Sequence, residues 1–542
     1  MLRRALDRGL HIPVLLAAIT AGFFWRILFQ DRAIAGLDVL DYFAPYRTLA
    51  QQAIDSGRLP LWNPDIFGGV PFLANIQSAV FYPLTGLFYL VDEPTAYTWN
   101  IVLHAFLGAL FMYLFARRAL AAARPACVIA AVMFAFGGFL GGQTGHLNQF
   151  SAAIWLPALL LCWDLAASGR LLYVLLGALV VALQFLAGHT QESYLLLVCL
   201  GLYAAWTTLF EMRFSGARSI GINVVVLLIV VGLGAGLAAA QLVPTSELTS
   251  WSIRSSGLSY ADATTFSLEP RMLLEALLPP FFDRDMVLQP GGTEFLGYVS
   301  IMGLALAAAG VVLGRRHRTW FFATLVLGAV ALALGKNDPA YPLLFKVMPG
   351  FNLFRVPARW LFLSTFGLSA LAAVGADALL ADRWRKVDWR QLAAAFGVLA
   401  VGALVISRRQ SLPPAGTMEA WAGFGIAALV GLAVWAWLAP GLAGRRAPGP
   451  IAGGATSTRQ ALSPIGLSYD GPAASSPWGM LAGAGMLALV LAELGIASQV
   501  LDYNHPTLPS DFSQSLPTLD FLGGQGGPFR LLSVAQDTYV PA

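Results

Sequence analysis

Apolar runs long enough to cross a bilayer recur from near the start of the chain to residue 500. They predict spans at 11–29, 97–116, 126–141, 151–167, 171–187, 194–210, 220–243, 297–314, 319–335, 360–380, 391–407, 420–438 and 478–500, about thirteen helices. The polar stretches between them are unequal. Those at 30–96, 244–296, 336–359 and 501–542 are long and fall on one side, whereas the other side carries short turns apart from 439–477. Val80 to Val91 is apolar but too short to span, and Pro83 interrupts it, which predicts an interfacial or re-entrant piece. Tyr42 to Ser56 places Tyr42, Tyr46, Leu49, Ala53 and Ile54 on one helical face and Arg47, Gln51, Gln52 and Asp55 elsewhere. Gly57 ends it. The pattern predicts an amphipathic helix lying on the outer leaflet.

Composition agrees with this class. The chain has 542 residues, of which 57% are hydrophobic and 11% charged, where a soluble domain carries about a quarter charged residues. The start, M-L-R-R-A-L-D-R-G-L-H, resembles the basic region of a signal peptide. The run behind it is nevertheless as long as a span, and Trp25 and Arg26 stand where a small-residue cleavage site would be. An uncleaved first helix with its N-terminus inside follows. Arginines concentrate in the short segments assigned inside, such as Arg117, Arg118 and Arg124, Arg315, Arg316 and Arg318, or Arg383, Arg385, Lys386 and Arg390. The outside face is then the elaborated one. A transmembrane unit is expected over 1–438, a Gly/Pro/Ser/Ala-rich cytoplasmic linker over 439–477, a last span at 478–500, and a tail at 501–542. The tail contains a strand-like Pro528 to Val534, as the start of a further domain would. Cys127, Cys162 and Cys199 all lie in apolar runs and read as small core residues rather than a disulfide framework or a zinc site.

Candidate chemistry gathers on the outside face. The first long loop opens with Asp38 and Asp41 in G-L-D-V-L-D-Y, where the first span leaves lipid, and carboxylates there are costly. Such a group can act as general base on an acceptor hydroxyl or help hold a divalent cation, magnesium or manganese, against a phosphate. The alternative is helix capping, which suits Asp41 better than Asp38. The same loop continues as P-L-W-N-P-D-I-F-G-G-V-P-F-L-A-N-I-Q, which offers Asn63, Asn75 and Gln77. Two turns look alike, G-H-L-N-Q with His146 and Gln149, and G-H-T-Q-E with His189, Gln191 and Glu192. Their side chains can contact phosphate or sugar hydroxyls, bond between helices, or bind metal, although the ligand spacing of a metal site is missing. In F-N-L-F-R-V-P-A-R-W, Arg355 and Arg359 stand against the positive-inside trend. They suit bidentate phosphate binding or headgroup anchoring. The chain has no nucleotide-binding glycine loop, no H-E-x-x-H and no basic-aromatic surface, so nucleotide hydrolysis, zinc proteolysis and nucleic-acid binding are not expected.

The stretches D-V-L-D-Y-F-A-P-Y, G-R-L-P-L-W-N-P-D-I-F-G-G-V-P-F-L-A-N-I-Q-S-A-V-F-Y-P-L, G-H-L-N-Q, G-H-T-Q-E-S and F-R-V-P-A-R-W resemble the YfhO-like family of bacterial membrane proteins, from about residue 30 to residue 380. That family is similar to the C-type (GT-C) glycosyltransferases. The resemblance implies an all-α polytopic membrane fold in the bacterial cytoplasmic membrane, with surface helices in a large first outer loop. It implies a polyprenyl-phosphate sugar as donor, and a glycan or protein acceptor in the envelope. It places the acidic residue of the first loop at Asp38, with Asp41 in reserve. Val39 and Leu40 separate the two carboxylates, unlike the adjacent or D-x-D pairs of many GT-C enzymes, so metal dependence stays open. Two other functions stay open: a transporter or flippase of lipid-linked sugars, and a non-catalytic assembly protein. Transport normally needs ionisable groups near the bilayer midplane, and here the spans have almost no carboxylates, with Glu493 and Asp377 as exceptions near span ends.

Overall fold

The computed structural model describes residues 11–513 except 35, 37, 211–215, 253, 290, 315–316, 382–413 and 444–476, together with Gly524. Eight of the described helices are long and apolar enough to cross a membrane: Glu93–Arg118, Arg124–Gly142, Leu147–Ala167, Thr190–Phe210, Ile220–Leu237, Pro357–Leu380, Ala415–Trp435 and Trp478–Val500. Four shorter apolar helices, His11–Phe23, Leu171–Leu186, Ile301–Leu313 and His317–Ala333, complete the pattern. The chain is a multi-pass, mostly helical membrane protein. Every expected span except 391–407 overlaps one of these twelve helices, eight of which are long enough to cross. That span, most of the expected linker and the strand-like Pro528 to Val534 lie outside the described residues.

Burial separates centre from rim. Arg124–Gly142 is 94% buried along its apolar window and Ile220–Leu237 only 17%, so the first is a core helix and the second presents its sides to lipid. Several spans are shorter or more broken than their apolar runs. The first stops at Phe23 and resumes over Trp25–Phe29. The run at 126–141 divides at Gly137 into Arg124–Phe136 and Gly138–Gly142, where the backbone N–H of Gly138 donates to the Tyr298 carbonyl at 2.7 Å.

The first long loop is folded rather than draped. A π-turn over Val39–Phe43 leads into the helix Ala44–Asp55, with Pro45 in its first turn, where a missing N–H costs nothing. A short antiparallel ribbon follows, Trp62 opposite Pro71 and Asn63 opposite Val70, then 3₁₀ turns at Ile76–Ser78 and Pro83–Tyr89. The expected interfacial piece is thus a 3₁₀ helix seated against Glu93–Arg118. Asp92 caps that span, its carboxylate accepting the Thr95 N–H at 3.1 Å.

The helix 44–55 differs from the expected pattern in one residue. Its buried residues are Ala44, Arg47 and Ala50, so Arg47, expected away from the apolar face, is inside. Arg47 is 2% exposed; it donates to the Ser78 carbonyl and to Asn148 Oδ1 (3.2 Å), and its guanidinium lies 5.2 Å over the Phe88 ring. Tyr42, Tyr46 and Phe72 stack in sequence, with ring centroids 4.6 and 5.0 Å apart. Hydrophobic periodicity saw the aromatic stripe correctly but could not see the partners that make burying one guanidinium tolerable.

Candidate active site

Five separate segments meet at the loop-bearing end of the helix bundle: Gly36 and Asp38 after the first helix, the turn Gln143 to His146, the turn Gly188 to Gln191, the loop Gly292 to Phe295, and Arg355 to Arg359. The two histidine turns converge here although more than forty residues separate them. Gly188 adopts φ +90°, and a Cβ on it would lie 2.6 Å from the Ile76 carbonyl and 2.8 Å from Asn148 Nδ2, so only glycine lets this hairpin reach the folded first loop.

Asp38 starts the π-turn without capping it. Its carboxylate instead meets His146 Nε2 at 3.1 Å and keeps 59% of its side chain exposed. The hydrogen bond to His146 holds the Asp38 carboxyl below the ordinary carboxylate range, against the opposing pull of burial. For His146, burial disfavours the charged ring. The bond to Asp38 and the nearby charges of Glu294 and Asp38 outweigh it and raise the imidazole above its usual value. The pair joins an ionised carboxylate to an imidazole whose protonated form it favours, presented at a surface.

Behind it lies a buried network centred on Arg359. Its Nε donates to both oxygens of Glu294 at 3.1 and 3.0 Å, Nη2 donates to the same carboxylate, and Nη1 donates to Gln191 Oε1 at 2.8 Å. Burial would lift the Glu294 carboxyl, and Arg359 overrides it, holding the group below the ordinary range. Gln149 also helps to lower the Glu294 carboxyl, and Gln143 Nε2 lies 3.5 Å from it. His189 is held neutral, well below its usual value, by burial first and by the charge of Arg359 second. Its Nδ1 faces Glu192, and its Nε2 lies 3.5 Å from Arg359 Nη1, the arrangement of a neutral ring protonated at Nδ1.

Arg355 and Arg359 have different environments because the chain turns between them. Pro357 blocks a continuous helix, and Val356 before it takes φ +64°, a strained conformation costing about 1–3 kcal/mol. Gln191 Nε2 donates to the Arg355 carbonyl at 2.7 Å and steadies the turn. The Arg355 guanidinium has no hydrogen-bond or ion-pair partner among the described residues. Burial, then the like charges of Arg254 and Arg359, hold its pKa below the usual arginine value. A cation kept beside other cations without a carboxylate of its own is the electrostatic signature of an anion site.

The remaining sequence-derived candidates separate from this cluster. Asp41 is exposed and forms no hydrogen bond or ion pair among the described residues; it does not cap the following helix, whose N-cap is Phe43. Asn63 is 4% exposed, and its Oδ1 accepts the Asp65 N–H at 2.9 Å, bracing the ribbon. Asn75 caps its 3₁₀ turn through the Gln77 N–H and donates to Tyr42 Oη at 3.0 Å. Gln77 contributes its carbonyl, which Asn148 Nδ2 reaches at 2.7 Å. Sequence reasoning did not single out Glu294, Gln143, Arg47 or Asn148. Asn148 sits inside G-H-L-N-Q and was within reach of the motif, whereas Glu294 is one carboxylate in a long loop and carries no local signal. Among the described residues, no three His, Cys, Asp or Glu side chains converge as a metal-holding group, so the open question of a divalent cation gains no ligand set from this geometry.

No family model matches the chain, and no curated protein matches it. Its fold is similar to the crystal structure of ArnT from Cupriavidus metallidurans bound to undecaprenyl phosphate, at 15% identity and a TM-score of 0.42, over 90% of this chain and 77% of that one.

Proposed function

We propose that the chain is a glycosyltransferase of the bacterial cytoplasmic membrane, moving a sugar from a polyprenyl-phosphate donor to an envelope acceptor at the extracytoplasmic face. The observation that carries this reading is the exposed, ionised Asp38 held by His146, in the same cluster as the unpartnered cation of Arg355. The resemblance of the quoted motifs to YfhO-like proteins points the same way.

In this mechanism the acceptor hydroxyl donates to the Asp38 carboxylate. Its oxygen attacks the anomeric carbon as the bond from that carbon to the phosphate oxygen breaks, with inversion. The proton passes to Asp38, and the bonding electrons leave with the phosphate. Arg355 stabilises the departing charge. Arg359, saturated by Glu294 and Gln191, orients the turn that carries Arg355, and His146 fixes the position and ionisation of Asp38. His189 and Glu192 line the buried side of the cluster.

Transport is less well supported. The carboxylates of Glu493 and Asp377 are used as caps for backbone groups, and that of Asp164 is paired with Arg318. Glu493 accepts the N–H groups of Ile301 and Met302 at the start of a neighbouring helix, and Asp377 accepts the Ala123 N–H at 2.9 Å. Carboxylates occupied in this way are poor candidates for a midplane ion pathway.

The test is release of labelled sugar from polyprenyl-phosphate hexoses by purified protein, for wild type and Asp38→Asn, with and without EDTA. Release by wild type and not by the variant is expected, and EDTA decides the metal question. Equal release by both proteins removes Asp38 from the mechanism.

A further inference from the structure

The segment beyond the last helix returns to the active-site cluster. Ala33 and Thr507 form a backbone bridge with hydrogen bonds of 3.0 and 2.9 Å, so the exit of the first helix and the chain after the last helix are fastened together. Arg26 donates to the Asn504 carbonyl, and Asn504 Nδ2 donates to Ser498 O at 2.8 Å and to its Oγ at 2.7 Å. These contacts hold Asp502 where two glycines make room for it. A Cβ on Gly36 would lie 3.2 Å from Asp502 Oδ2, and one on Gly145 would lie 3.1 Å from the same oxygen. Gly36 is two residues before Asp38, and Gly145 immediately precedes His146.

The Asp502 carboxyl has no hydrogen-bond or ion-pair partner among the described residues. The ring Nδ1 of neighbouring His146 is also buried without a partner. Burial lifts the Asp502 carboxyl above the ordinary range despite His146, the opposite direction to Asp38. Two carboxyl groups in one site with opposite displacements commonly divide two tasks. A phosphate would be repelled by the ionised carboxylate, whereas a sugar hydroxyl can donate to it.

We propose that Asp502 is a substrate-contacting residue that binds a hydroxyl of the transferred sugar beside His146, so that the segment after the last helix completes the site. This rests on the glycosyltransferase reading above.

The experiment uses the full chain. Thermal stabilisation by polyprenyl-phosphate hexoses, with glucose, mannose and galactose as the sugars, is compared with stabilisation by sugar-free polyprenyl phosphate. Wild type is expected to be stabilised further by at least one hexose. Asp502→Ala is expected to lose that increment while keeping the response to the sugar-free lipid. In the transfer assay the same variant raises KM for the donor about 10-fold or more, the loss of one charge-assisted hydrogen bond. Asp502→Asn keeps the side-chain volume and serves if Asp502→Ala folds poorly. Gly145→Ala, which crowds the carboxylate, slows wild type and adds no further loss to Asp502→Ala. Unchanged sugar-dependent stabilisation and unchanged KM in a folded Asp502 variant overturn the inference. Absence of release by wild type with every donor instead counts against the glycosyltransferase reading, and the stabilisation arm still reports on Asp502.

Discussion

Two charged clusters stand at the two ends of the span Leu147–Ala167, and they are built differently. At the end remote from the long loops, Arg318 donates to Asp164 at 2.6 Å and to the Ala119 carbonyl at 2.8 Å, while Tyr203 Oη donates to the same aspartate at 3.0 Å. The Arg318 guanidinium also lies 5.8 Å over the Tyr203 ring. Charge is matched by charge, and both side chains are largely covered, at 17% and 11% exposed. At the loop end, Asp38 is open to solvent, Arg355 has no carboxylate, and the buried Nδ1 of His146 has no partner. A closed network fastens helices together. An open one, carrying unmatched charge beside a rigid buried pair such as Arg359–Glu294, fits a site whose remaining partners come from a ligand.

The contrast can be broken most severely at Asp38. Asp38→Asn is expected to lower sugar release about 10²–10⁴-fold, the usual contribution of a positioned base, with little change in melting temperature because the side chain is exposed. Arg318→Ala should do the reverse. Removing one partner of a largely buried pair costs about 3–5 kcal/mol of stability, read as a fall in melting temperature in detergent, and release per folded molecule is unchanged. A smaller effect is expected at Arg355. Arg355→Ala should raise KM for the lipid phosphate about 10–100-fold, the equivalent of a charged hydrogen bond, with Arg355→Lys intermediate and folding unaffected. The smallest belongs to Asn63, where Asn63→Ala removes an internal turn bond worth about 1 kcal/mol. Melting should register that loss and KM should not, and a large KM change would return Asn63 to the substrate site.

The same contrast shows what the sequence made legible. The apolar helices followed from apolar run length, because lipid imposes a one-dimensional constraint on each segment. His146, His189, Gln191, Arg355 and Arg359 could be singled out because they are polar groups beside spans, where such residues are costly. Their roles could not be separated by spacing alone. Arg355 and Arg359 look equivalent in F-R-V-P-A-R-W, and only the turn at Val356 and the position of Glu294 make one unmatched and the other saturated. Arg47 was misplaced for the same reason, since its partners Ser78 and Asn148 are distant along the chain.

The central claim is that the reactive carboxylate is Asp38, kept ionised by His146. A folded-state pKa below the unfolded one favours the ionised form, so the acid limb of kcat/KM in wild type should lie below about pH 4, the ordinary carboxylate value. The His146 partner has the opposite sign: its raised pKa keeps the pair intact up to and beyond about pH 6.5, and the contribution is lost as pH climbs through the raised value. The direct measurement is the pH profile of sugar release for wild type and His146→Ala. The account predicts that His146→Ala moves the acid limb to higher pH, because the bond that stabilises the carboxylate is gone while burial remains. An acid limb at the same pH in both proteins would contradict it.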